Sequence, residues 1–167
     1  MKKTRTLSRI RLTLLCVALV CVTTAPAADK YDGPRPPKPD LPYLQHASTL
    51  LPTEATEAKP EGGKKDQSLY TINGANSSAR TPLAEPTFLM MSDKVIPDRL
   101  ELYRLAVRNG RREITLAKGK NSSKPLHMTV TKLDGKLYRL EAGEPLENGQ
   151  YSLSPNDSNT VFCFEVY

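Results

Sequence analysis

Few side chains in this sequence are of the types that move protons or attack a substrate. Its histidines are His46 and His127. His127 falls in an alternating run and, in the register argued below, faces Glu141. An imidazole beside a carboxylate can shuttle a proton, but catalysis also needs a third group and a pocket. The motifs HExxH, CxxC and GxSxG are missing, and so is a glycine-rich phosphate loop. Asn156-Asp157-Ser158-Asn159 offers oxygen ligands in a row, which reads as a polar turn. No catalytic residue, resident metal or cofactor is therefore expected. The strongest chemical signal is a group of arginines, Arg99, Arg104, Arg108, Arg111 and Arg112. Guanidinium groups suit carboxylate and phosphate partners. Arg104, Arg108 and Arg111 are the candidate binding residues, as an anion-recognising surface. The same charges on a solvated sheet face would deter aggregation instead.

Those arginines are positioned by the stretch Leu100 to Ala117, which reads as a β-hairpin turning at Asn109-Gly110. Asn-Gly suits a two-residue turn because both of its residues take φ > 0. The turn pairs Arg108 with Arg111 and Val107 with Arg112. Further back, Leu105 faces Ile114 and Tyr103 faces Leu116. Tyr103, Leu105, Val107, Ile114 and Leu116 then share one face. Arg104, Ala106, Arg108, Arg111, Glu113 and Thr115 share the other. A slip of one residue would oppose apolar to polar side chains, so the pattern fixes the register.

The N-terminus bounds where the protein works. Lys2, Lys3, Arg5, Arg9 and Arg11 form a basic start, Leu12 to Val22 is apolar, and Ala25-Pro26-Ala27 supplies small residues for cleavage. This is the pattern of a secretory signal peptide over residues 1–27. The apolar run is about half of the roughly 20 residues a spanning helix needs. The whole chain carries 24 Lys+Arg against 18 Asp+Glu, a net +6. Five of the basic residues lie in the leader, so the remainder is 19 − 18 = +1. A balance that small gives no footprint for nucleic acid, and no nucleic-acid partner is expected. Cys16 and Cys21 leave with the leader. Cys163, between two phenylalanines, is expected to be a packed thiol with no internal disulfide partner.

Residues 28–68 read as a disordered, Pro-rich linker. Tyr31 to Pro42 carries five prolines in twelve residues, and few apolar side chains follow to offset the entropy of ordering. From residue 69 to 167 short alternating runs are separated by turn signals. Leu69–Ile72 and Thr87–Met91 precede the Asn109-Gly110 hairpin. A second hairpin is expected over 126–142, with a three-residue loop at Leu133-Asp134-Gly135. It pairs Val130 with Tyr138, Met128 with Leu140 and His127 with Glu141. The spacing Leu146-x-x-Gly149-x-Tyr151 resembles the turn entering a late strand of immunoglobulin-like sandwiches, whose Tyr hydroxyl bonds to upstream backbone. In the last strand Phe162, Phe164 and Val166 share one face, and Val161, Cys163 and Glu165 the other. Seven or eight short strands and no helix predict an all-β fold, a small antiparallel immunoglobulin-like β-sandwich or else a small barrel.

The combination GPRPPKPDLPYL after a leader, then GRREIT, then PLENGQYSLSP and a terminal VFCFEVY is similar to a group of uncharacterised exported small β-domain proteins of Gram-negative bacteria. The resemblance implies a periplasmic or extracellular home. It supplies neither an activity nor site residues. The expected function is a non-catalytic binding or interaction module of the cell envelope, whose partner is a protein or polysaccharide. Membrane attachment is expected only if the leader is retained. The alternative is a hydrolase or other enzyme with a site outside the known motifs.

Overall fold

Period-two alternation becomes strand almost throughout, and the described residues contain no α-helix. The computed structural model describes residues 31–62, 67–117 and 122–167, so the leader expected at 1–27 lies outside them. In chain order the strands are β1 (Tyr43–His46), β2 (Thr49–Pro52), β3 (Glu54–Glu57), β4 (Lys59–Glu61), β5 (Gln67–Asn73), β6 (Arg80–Thr81) and β7 (Thr87–Met91). After one 3-10 turn at Pro97–Arg99 come β8 (Leu100–Arg108), β9 (Arg111–Ala117), β10 (Met128–Asp134), β11 (Leu137–Ala142), β12 (Gly149–Pro155) and β13 (Thr160–Val166). They form a β-sandwich of two sheets. One has the order β10-β11-β7-β1-β2; the other has β3-β13-β12-β8-β9-β5-β4, with β6 alongside β13. The pairings are antiparallel apart from β6 on β13.

Eight of the strands are those expected from the sequence. The others, β1 to β4 and β6, are two to four residues long. This corrects the reading of 28–68 as a disordered linker, because β1 to β4 lie inside it. Runs of two to four residues give an alternation little length in which to show. Their prolines also occupy tolerated places: Pro52 ends β2, and Pro60 lies in β4, which pairs on one side with β5. The β1–β2 turn uses Ala47 at φ +53, with neither Gly nor Asn to announce it. Polar anchoring supplies what apolar burial does not. The Asp40 carboxylate accepts the backbone N–H groups of Asp93, Lys94 and Val95 at 2.9, 2.8 and 2.9 Å.

The larger sheet closes on itself. β3 and β4 stand at opposite ends of its order, yet in the chain they are separated by Ala58 alone. The run from Glu54 to Glu61 pairs first with β13, as in Ala55 with Phe162, and then with β5, as in Pro60 with Tyr70. Closure removes the open edges that a flat sheet exposes. It also gives alternate residues of one strand two different interiors. Phe162, Phe164 and Val166 enter the core between the sheets, with Phe88, Leu140 and Leu153. Val161 and Cys163 face into the closed sheet, with Leu105 and Ile72. The two faces read from the sequence of β13 are therefore both buried. Phe164 anchors the first interior, edge-on to Phe88 at 4.9 Å and stacked on Tyr151 at 5.4 Å. The Tyr151 hydroxyl donates to the Glu147 carbonyl at 2.6 Å, as its spacing from Gly149 and Leu146 predicted.

The two hairpins differ in outcome. At Asn109-Gly110 both residues have positive φ, and Arg108 pairs with Arg111, Val107 with Arg112 and Ala106 with Glu113 as expected. In the second hairpin Val130 pairs with Leu140, Met128 with Ala142 and Lys132 with Tyr138, two residues away from the expected register. The turn is Gly135-Lys136, with Gly135 at φ +52, and Leu133 is a bulge. A shift of two keeps every side chain on its own face, so the alternation could not distinguish the registers.

Candidate functional site

The first hairpin does not stay paired. The β8–β9 ladder ends at Ala106 with Glu113; beyond it β8 continues on β12, and β9 continues on β5. Leu105–Ile114 and Tyr103–Leu116, expected as neighbours in the ladder, are instead on strands that part. The following segment bridges the split. Ser123 N–H donates to the Thr115 carbonyl at 2.9 Å and Leu126 N–H to the Leu102 carbonyl at 2.7 Å. Inside the split, at one end of the closed sheet, lies a cavity of about 420 Å³. That falls in the range of roughly 300–1,000 Å³ common to small-molecule sites.

Its walls are unlike. Glu101 and Tyr103 of β8 and Ser152 and Ser154 of β12 line the polar one. They belong together because the ladder sets Tyr103 beside Ser152 and Glu101 beside Ser154. The apolar wall is Tyr70, Ile72, Ile114, Leu116 and Val161. The turn Pro155 to Asn159, read from the sequence as a polar loop, forms the rim. The Tyr103 hydroxyl donates to Glu101 Oε2 at 2.5 Å, and the Ser152 and Ser154 hydroxyls are 3.0 Å apart. Burial, and then the Glu101 carboxylate, raise the Tyr103 pKa above its ordinary value, so the phenol is a donor and not a base.

The other end of the same interior is filled by an ion pair. Arg112 is 1% exposed. Its Nη1 and Nη2 each donate to a different oxygen of Glu54 at 2.8 Å, while Nε donates to the Gly74 carbonyl at 3.0 Å and Nη2 also to that of Asn73 at 2.8 Å. Burial alone would favour the neutral forms. The paired opposite charges outweigh it, so Glu54 is held below and Arg112 above the ordinary value. Cys163 lies beside this pair, fully buried. Burial pushes its thiol up to about 12, against the pull of Arg112. The packed thiol read from the sequence is what the structure contains.

Arg112 was the hairpin arginine that sequence reasoning passed over, although its signal was present. The register placed it opposite Val107, on the apolar face. The three named candidates lie on the opposite face, outside the closed sheet. Arg104 binds the Glu147 carboxylate and the Asn148 carbonyl, Arg108 pairs with Glu113 at 3.2 Å, and Arg111 pairs with Glu61 at 2.6 Å. Arg104 and Arg108 border a second hollow of about 760 Å³, larger than the cavity, with Leu69 and Glu113, and Arg111 is not part of its lining. Neither histidine lines the cavity. His46, expected in disordered chain, is in β1 with Nε2 2.9 Å from Thr81 Oγ1. His127 is not opposite Glu141, which pairs with Thr129 and holds Arg139 at 3.1 Å.

Comparison with protein families, with curated proteins and with solved structures finds no match to this chain.

Proposed function

We propose that the protein is an exported, non-catalytic binding module of the cell envelope, and that the cavity in its closed sheet is the receptor site. The observation that carries this reading is the pair of unlike walls. Hydroxyls and a carboxylate face aliphatic and aromatic side chains across a space of ligand size, an arrangement suited to orienting an amphipathic ligand. The polar wall is poorly equipped for turnover. Its serines have no histidine beside them, and Tyr103 is held as a donor. The arginine face supports binding less well, because Arg104, Arg108 and Arg111 already hold carboxylates. For a protein or polysaccharide partner, the outer side of β10 is the better place, since β10 is an edge of the smaller sheet.

A fragment screen by methyl NMR on the protein purified from an envelope fraction tests the reading. Amphipathic fragments are expected to shift the Ile72, Ile114, Leu116 and Val161 methyls, and Leu116→Trp, which fills the space, should abolish those shifts. Shifts scattered over the surface and insensitive to Leu116→Trp, together with turnover in a hydrolase screen, would overturn it. Intact mass of the same material tests export: the chain is expected to begin at or near Ala28.

A further inference from the structure

We propose that the ligand of this cavity is a small organic ammonium, a protonated amine carried on an aryl or short alkyl body. The inference rests on the cavity being the receptor site. The lining holds two carboxylates, Glu101 in the wall and Asp157 at the rim, and no lysine, arginine or histidine. Among the described residues neither carboxylate is held in a salt bridge. The contrast with the outer face of the same hairpin is direct, because Glu61, Glu113 and Glu147 there are each neutralised by an arginine.

Hydrogen bonding agrees with charge. An ammonium offers three donors and no acceptor. Tyr103 occupies Oε2 of Glu101, which leaves Oε1 to accept. The hydroxyls of Ser152 and Ser154 lie on the neighbouring strand and supply further oxygen acceptors. Tyr103 and Tyr70 also line the cavity, and aromatic rings attract cations. Ile114, Leu116 and Val161 remain for the apolar body. A carboxylate on the same body would meet Glu101 with no compensating cation, so the site selects against anions as well as for cations.

Isothermal titration of the purified protein with phenethylamine, 2-phenylethanol and 3-phenylpropanoate separates the possibilities, since the three differ mainly in charge. Phenethylamine is expected to bind about tenfold tighter than the alcohol, with the advantage shrinking as salt is raised. The carboxylate is expected not to bind. Glu101→Gln should remove the ammonium advantage and leave the alcohol unchanged, with an unaltered melting temperature confirming the fold. Asp157→Asn, at the rim, should reduce the advantage less. If the alcohol or the carboxylate binds as tightly as the amine and Leu116→Trp blocks it, the ammonium inference falls and the receptor reading stands. If phenethylamine gives no heat while other fragments shift the cavity methyls, the inference falls in the same way. If neither the amine nor any fragment reaches those methyls, both fall.

Discussion

The two interiors of this protein share three strands and are built by different rules. Between the sheets, β8, β12 and β13 present Leu102, Leu153, Phe162 and Phe164, with Leu44, Phe88 and Leu140 opposite. That space is apolar. Inside the closed sheet the alternate residues of the same strands are Tyr103, Ser152, Ser154 and Cys163, facing Arg112 at one end and an open cavity at the other. Period-two geometry lets one strand serve both without compromise, since each side chain belongs to only one face. The first interior contributes burial, at roughly 1.5–3 kcal/mol for each fully buried large apolar side chain. The second gives up part of that gain: its buried ion pair is costly to desolvate and its cavity leaves contacts unmade. A sheet that only needed stability would fill both. On the proposed function, the first interior supplies stability and the second the binding site.

Mutations can break this division, starting where the effect is largest. Phe164→Ala removes a ring packed on both Phe88 and Tyr151, and denaturant unfolding should show a loss of about 3–5 kcal/mol. Arg112→Met should cost about 3 kcal/mol because it strands the Glu54 carboxylate, and adding Glu54→Leu should recover most of the loss. The same pair sets a pH dependence. Glu54 has a folded pKa below its ordinary value, so its contribution is full above the ordinary glutamate range and is lost as pH falls through the lowered value. Melting temperatures measured from pH 7 down to about 2 should therefore fall less steeply in the Arg112→Met/Glu54→Leu protein than in wild type below about pH 4. Tyr151→Phe deletes only the hydroxyl bonded to Glu147 and should cost about 1 kcal/mol in the same unfolding assay. Ser154→Ala, in the cavity wall, should change stability by less than about 0.5 kcal/mol while weakening ligand binding. A loss at Ser154 as large as that at Phe164 would erase the distinction between the interiors.

Much of the first interior was legible in the sequence. The alternation in the strand ending VFCFEVY and the spacing of Leu146, Gly149 and Tyr151 both carry long, regular signals, and Asn109-Gly110 fixes a register. The second interior was not legible, for three physical reasons. Closure depends on Glu54–Glu61, a run whose side chains are short, charged or proline and which bends at Ala58 between two partners. The split of β8 from β9 is a tertiary choice. Ile114 and Leu116 are equally apolar whether they face β8 in a ladder or line a cavity. Ser152 and Ser154 look like solvent-facing positions, because nothing local announces that the sheet curls over them. Arg112 was the available clue: an arginine placed by register on an apolar face calls for a counter-charge and acceptors, which half-buried Glu54 and the Asn73 and Gly74 carbonyls supply.

The most direct test of the division is where a bound ligand lies. Intermolecular NOEs between phenethylamine and methyl-labelled protein should connect the aromatic ring to Ile114, Leu116 and Val161, and not to Leu44, Leu140 or Leu153. NOEs to that second set, from a ligand lodged between the sheets, would contradict the account.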